Sequence, residues 1–185
     1  MKIVISGYYG FGNAGDEAIL EAMVRDLRAL APGARLVVLS ADPAATAARC
    51  GVEAVPRMHL PSVLGALRGA DLFISGGGSL LQDATSWRSV PYYAGLMRLA
   101  RWMGVPVFVY AQGIGPLRRP WLRRLAARAL NGAAEVTVRD RLSYEMLLEL
   151  GVDPAAVTIT ADPVFALAPG APEPVATAAA SPDPA

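Results

Sequence analysis

A single cysteine and a single histidine in 185 residues remove several common chemistries at the start. Cys50 has no partner for an internal disulfide, and a cysteine-based metal cluster is out of reach; it reads as a small buried hydrophobe. His59 lies in the proline-flanked stretch Pro56–Pro61, away from the glycine-rich loops, and no Ser/His/Asp arrangement, metal-binding pair or P-loop occurs. Neither a metal nor a cofactor is expected. Long apolar runs are missing too. Although 54% of residues are hydrophobic, no run approaches the roughly 18 residues of a membrane span. Lys2 is followed by only a short apolar run before a glycine loop, which is not the pattern of a secretory signal. A net charge of +1 gives no general case for nucleic acid. The expectation is one cytoplasmic domain, large enough for a real core.

The sequence is rich in glycine at strand ends. GYYGFGNAGDEAILEAM, residues 7 to 23, begins where the apolar run Ile3–Ile5 stops and opens into an amphipathic helix. Gly7, Gly10, Gly12 and Gly15 permit tight turns and expose backbone N–H groups, while Asp16 sits where a helix N-cap belongs. Gly10–Gly15 fits the dinucleotide fingerprint G-x-G-x-x-G between a strand and a helix. Against that, Gly7-Tyr8-Tyr9 delays the first glycine, and Asp16 and Glu17 stand where a pyrophosphate would rest. A helix dipole favours an anion by roughly 0.3–1 kcal/mol, whereas like charges about 4 Å apart repel by about 4 kcal/mol at an effective dielectric of 20. A loop for a neutral, hydroxyl-bearing ligand fits better, with Asn13 and Asp16 as hydrogen-bonding groups and Tyr8 and Tyr9 as flat walls. Asp16 also reads as a plain cap, worth about 1 kcal/mol.

Taken in order, short apolar runs alternate with helical patterns. Strands are expected at 2–6, 36–39, 52–55, 72–74, 105–110, 136–138 and 157–159, with helices at 17–30, 60–67, 90–103, 121–130 and 142–150 and a short alanine-rich one before Gly51. Strands apolar on both faces imply an α/β fold, a doubly wound parallel Rossmann-like sheet. The expected order is 3-2-1-4-5-6-7, with the switch point between strands 1 and 4. Residues 1–168 form this domain, and the Pro/Ala-rich stretch 169–185 reads as a disordered linker or tail.

Ligands in such sheets bind beyond the carboxyl ends of the strands, where the remaining unusual loops fall. After strand 4 come Gly76, Gly77, Gly78 and Ser79, then Gln82, Asp83, Thr85 and Ser86. Strand 5 leads into Gln112-Gly113 and strand 6 into Arg139-Asp140, where a guanidinium fork would suit a carboxylate or phosphate. As a surface ion pair, Arg139-Asp140 would contribute less than about 1 kcal/mol. In the helix 121–130, Leu122, Leu125, Ala126, Ala129 and Leu130 form the buried stripe. Arg119, Arg123, Arg124 and Arg128, beside Trp121, make a basic outer face that is either merely solvated or rests on anionic lipid.

Together GYYGFGNAGDEAIL, GGGSLLQDATS followed by Tyr92-Tyr93, AQGIGP, and RDRLSYEMLLELGV ending in ITADPVF resemble the polysaccharide pyruvyl transferase family, particularly the CsaB-type enzymes of bacterial cell-surface polymers. The matching stretches occur in order across residues 1–167. The resemblance implies the N-terminal half of a GT-B-like architecture, with an active site in the cleft between two Rossmann-type halves. It implies transfer of an enolpyruvyl group from phosphoenolpyruvate onto a sugar as a ketal, often on a lipid-linked amino-sugar acceptor. The partners so implied include a C-terminal domain or partner chain carrying essential basic and histidine residues, while the basic face beside Trp121 leaves open a peripheral contact at the inner face of the membrane. Asp16 and Asp83 are the candidate catalytic bases. Gly10, Gly12, Asn13, Gly15, Gly76, Gly77, Gly78, Ser79, Gln82, Ser86, Gln112, Gly113, Arg139 and Asp140 are the candidate substrate contacts. Two further readings are a non-catalytic sugar-binding or assembly half-domain and one half of a GT-B glycosyltransferase.

Overall fold

The computed structural model describes residues 1–84 and 86–167; Thr85 and the Pro/Ala-rich stretch lie outside the described residues. Seven parallel strands form one sheet in the order β3-β2-β1-β4-β5-β6-β7. The strands are β1 (Lys2–Ser6), β2 (Arg35–Ser40), β3 (Glu53–Pro56), β4 (Leu72–Gly76), β5 (Val107–Gln112), β6 (Glu135–Val138) and β7 (Val157–Ile159). Between them run α1 (Ala14–Leu30), α2 (Pro43–Cys50), α3 (Leu60–Leu67), α4 (Ser89–Trp102), α5 (Pro120–Leu130) and α6 (Arg141–Glu149). Among the described residues no helix is long and apolar enough to cross a membrane.

Alternation along each strand divides the core in two. Ile3, Ile5, Val38 and Ile74 face α1 and α2, packing on Leu20, Met23, Val24 and Cys50. Val4, Val37, Phe73, Val107 and Val109 face the other way, onto α3, α4 and α5. Both faces are therefore apolar, as a parallel sheet wound on both sides requires. After β7 a short 3-10 segment, Pro163–Leu167, returns to α1, where the Arg25 guanidinium donates to the Ala166 carbonyl at 2.6 Å.

Three local features differ from the sequence reading. α1 starts three residues earlier than expected, because the Asn13 side chain, not Asp16, caps it and accepts from the Gly15 and Asp16 N–H groups at 3.1 and 3.2 Å. Tyr9 is no ligand wall: it is 1% exposed and its hydroxyl donates to the Gly76 carbonyl at 3.1 Å. Finally, β5 is irregular at its end. Its register against β6 shifts between Val109 and Gln112, and Ala111 takes a left-handed φ of 44°, its N–H donating to Thr137 Oγ1 at 2.7 Å. The extra residue reverses the side-chain parity, and Gln112 lies buried against Ser75 on β4.

The glycines after β4 have a definite mechanical purpose. A Cβ on Gly76 would run into Met23, one on Gly77 into Ile19 and one on Gly78 into the Asp16 carboxylate. Residues 16, 19 and 23 share one face of α1, so the loop lies lengthwise along that face, backbone against side chains. Gly77 and Gly78 also have φ of 58° and 65°. Gly77→Ala should therefore lower unfolding stability by about 2–3 kcal/mol, from left-handed backbone strain and overpacking together. In a double-mutant cycle by urea denaturation, Ile19→Ala should recover part of that loss.

Candidate functional site

Over the carboxyl ends of β1 and β4 the chain forms a crevice of about 450 Å³. Asn13 and Asp16 line one side from the start of α1, and Ser79, Gln82 and Ser86 line the other from the loop after β4. Tyr8, Ser89 and Tyr93 close it towards α4, and Leu80 is its apolar element. The loop after β4 is held by main-chain bonds that extend the β4–β5 ladder. Gly77 N–H donates to the Tyr110 carbonyl, Gly113 N–H to that of Gly78, Gly115 N–H to that of Leu81 and Asp83 N–H to that of Pro116, at 3.0–3.1 Å.

Asp16 is the carboxylate that faces this crevice. Among the described residues its side chain accepts no hydrogen bond. Burial, then the neighbouring Glu17 charge, raises its pKa above the ordinary value, with Arg139 acting the other way. Glu17 does not share the crevice: it is 5% exposed, accepts from the Gly10 N–H at 2.8 Å and lies 3.6 Å from Arg49. Only one of the two carboxylates expected at the helix start is thus presented to a ligand.

Arg139 reaches the same region from β6. Its guanidinium donates to Asp162 at 2.8 Å and to Ser79 Oγ at 3.3 Å, and lies 3.7 Å from Asp140. Gly113 makes room for it, since a Cβ there would sit 3.0 Å from the guanidinium and 2.7 Å from Ser79 Oγ. Gly113 therefore admits a side chain of this chain. Asp140 is largely structural: it caps α6, accepting from the Ser143 N–H at 2.7 Å. Gln112 is fully buried, donating to Ser75 Oγ at 2.9 Å, and its Oε1 is without a partner among the described residues.

Asp83 is placed differently from Asp16. Its carboxylate, with the side chain 1% exposed, accepts from the Arg118 N–H at 3.0 and 3.1 Å and from the Arg119 N–H at 3.1 Å. It anchors the entry to α5 and does not line the crevice. Burial would raise its pKa, but those N–H groups and the Arg119 and Arg118 charges more than offset that and hold it below the ordinary value. Of the glycines, Gly10, Gly12 and Gly15 shape the turn into α1 and its first residues, and Gly76–Gly78 seat the helix.

Sequence reasoning passed over Arg57, at the carboxyl end of β3. It donates to the Gly7 carbonyl at 3.1 Å and to the Tyr93 hydroxyl at 3.2 Å. Its guanidinium carbon lies 4.4 Å from the Tyr92 ring centre, 5.1 Å from Phe11 and 5.4 Å from Tyr93. The usable signal was positional: β3 ends on the same side of the sheet as the glycine loops. Burial pushes the Tyr93 hydroxyl up to about 12, with the Arg57 charge acting the other way.

The polysaccharide pyruvyl transferase family profile matches residues 13–183. Among solved structures, Anabaena HepE in complex with UDP-glucose superposes with a TM-score of 0.58 at 15% identity, over 88% of this chain and 44% of that one. The UDP-GlcNAc 2-epimerase from Neisseria meningitidis bound to UDP-GlcNAc gives 0.54 at 13% identity, over 89% and 48%. The lipopolysaccharide outer core galactosyltransferase WaaB gives 0.51 at 10%, over 86% and 45%. These likenesses describe a shared GT-B-type fold, and the chain spans less than half the length of each. No curated protein matches the sequence.

The two aspartates should leave opposite marks on stability. The folded pKa of Asp83 is depressed, so its contribution is full above the unfolded value of about 3.9 and is lost as pH falls through the folded one. Asp16 has a raised folded pKa, so ionising it costs stability as pH rises from about 3.9 through that value. Urea denaturation across acid to neutral pH should show Asp83→Asn destabilised by about 1.5–3 kcal/mol at neutrality. Asp16→Asn should be as stable as the parent there, or more so.

Proposed function

The chain belongs to the polysaccharide pyruvyl transferase family, and from that membership we propose that it forms the acceptor-side half of an enzyme building a pyruvyl ketal on a cell-surface polysaccharide sugar. The observation that carries this reading is the Asp16 carboxylate, unbonded within the described residues and raised in pKa by burial, facing hydroxyl- and amide-bearing groups across a sugar-sized crevice. A carboxylate in that position takes the proton from an acceptor hydroxyl as its oxygen attacks the enolpyruvyl carbon of phosphoenolpyruvate. The methylene carbon gains a proton, the second sugar hydroxyl then displaces phosphate from the same carbon, and that hydroxyl's proton leaves with the phosphate. Asn13, Gln82, Ser79 and Ser86 offer hydrogen bonds to the acceptor, and Tyr8 offers a face for its ring. Asp83 holds the crevice wall rather than the reacting proton. The proton donor to the methylene carbon is assigned to a second, C-terminal half or a partner chain.

A membrane-facing edge accompanies this reading. Trp87 and Trp121 are both half-exposed and meet edge to face at 6.0 Å. Arg123 is committed to α6, donating to the Glu149 carbonyl at 3.3 Å, which leaves Arg124 and Arg128 as the outer charges. We assign this edge to anionic lipid at the cytoplasmic face, where a lipid-linked acceptor would be met. Sedimentation with anionic vesicles should fall about fivefold for each of Arg124→Gln and Arg128→Gln, at about 1 kcal/mol per basic residue, and should weaken with salt. Equal pelleting with neutral vesicles would remove the assignment.

The reaction itself is tested in protein carrying both halves, supplied with phosphoenolpyruvate and an N-acetylmannosamine-containing acceptor. Asp16→Asn should lower acceptor-dependent phosphate release by about 10²–10⁴-fold without loss of stability. Transfer kinetics unchanged by that substitution would leave Asp16 structural. An acceptor that binds yet never turns over would favour the non-catalytic sugar-binding reading.

A further inference from the structure

Beside the crevice lies a second, smaller pocket of about 240 Å³, sharing Tyr8, Ser89 and Tyr93 with it. Its remaining lining is Arg57, Met58, Arg88 and Tyr92, so it contains two guanidinium groups and no carboxylate. We propose that Arg57 and Arg88 form a binding site for a phosphoryl oxyanion next to the sugar-sized crevice.

Arg57 is built into the wall. Three aromatic rings lie within 5.4 Å of its guanidinium carbon, which strips water from its faces. Its backbone is fixed as well, because the Tyr92 hydroxyl donates to the Arg57 carbonyl at 3.0 Å. Two of the five N–H groups of a guanidinium are engaged here, by the Gly7 carbonyl and the Tyr93 hydroxyl. The others have no acceptor among the described residues, and no carboxylate pairs with this charge. A positive charge that is partly desolvated, rigidly held and not neutralised is arranged to receive an anion from outside the chain.

Arg88 supplies the second fork. It is exposed, lies over the Trp87 ring at 5.6 Å and makes no ion pair among the described residues. It also occupies the N-cap position of α4, whose first turn has no capping side chain and whose positive end adds to the same field. Two forks can share the three oxygens of a tetrahedral phosphoryl group, which a single carboxylate cannot match. The anion could arrive on a glycosyl diphosphate or on phosphoenolpyruvate; the chemistry recognised is the same.

Isothermal calorimetry at low salt, with inorganic phosphate as the probe, reads the site without any turnover. Its outcome is therefore separable from that of the ketal-forming reaction. The parent chain should bind phosphate, Arg57→Gln should weaken binding about tenfold or more, and Arg88→Gln should weaken it several-fold. Arg57→Lys should fall between, keeping the charge and losing the fork. Since Arg88 is a surface residue, Arg88→Gln tests the site even if Arg57→Gln fails to fold. UDP-glucose binding more tightly than phosphate would place the oxyanion on a sugar diphosphate; phosphoenolpyruvate binding more tightly would place it on the donor. Absence of binding by all three probes, or equal phosphate affinity in folded Arg57 and Arg88 variants, overturns the proposal.

Discussion

Helix α1 approaches the chain leaving β4 more closely than side chains would permit, and the crevice takes its shape from that contact. Met23, Ile19 and Asp16 meet Gly76, Gly77 and Gly78 in turn. The first two contacts are apolar and buried, so they set the height of the helix above the sheet. The third brings the Asp16 carboxylate to the rim, where the same close approach half-buries it. Asn13 reinforces the arrangement by capping α1, which leaves Asp16 without a capping duty. The placement of Asp16 and the seating of the helix thus have one cause.

Charges near the crevice fall into two groups. Glu17 is tied to Gly10 and Arg49, Asp83 to the backbone entering α5, Arg139 to Asp162, and Asp140 to the cap of α6. Each of these is neutralised or hydrogen-bonded within the fold, as buried charge requires. Among the described residues Asp16 and Arg88 have no charged partner, and Arg57 donates to the Gly7 carbonyl and the Tyr93 hydroxyl but pairs with no carboxylate. The unneutralised groups lie on adjoining pockets, acid on one and cations on the other. That separation suits a ligand with a neutral, hydroxyl-bearing part and an anionic part.

The topology was legible from the sequence because it rests on runs such as Ile3–Ile5 and Leu36–Leu39, which are apolar on both faces and admit few alternatives. Strand order and switch point followed from that pattern. The loops fall at the carboxyl ends of the strands as the pattern implies, and what the sequence leaves open is which of their residues face the crevice and which hold the fold. Gly76–Gly78 look alike whether they admit a ligand or a helix, and only the position of α1 decides. Gln112 was named for its place at the end of strand 5, and the irregularity at Ala111 sets it inside the fold against Ser75. Asp83 and Asp16 are the same residue type beside glycine-rich loops, distinguished by the distant backbone of Arg118 and Arg119, which binds Asp83 alone. Arg57 was missed because its aromatic surroundings come from residues 11, 92 and 93, far from it in the chain.

The main-chain bonds that join residues 77–83 to 110–116 carry a thermodynamic implication for recognition. A binding loop that is floppy when empty must lose conformational entropy when a ligand arrives, and affinity falls accordingly. Here the loop is laced to its neighbour from Gly77 to Asp83 by bonds made wholly within the chain. Association would therefore be opposed mainly by the immobilisation of the ligand and by the dehydration of Asp16 and the polar side chains. Such a crevice wall behaves as a rigid template.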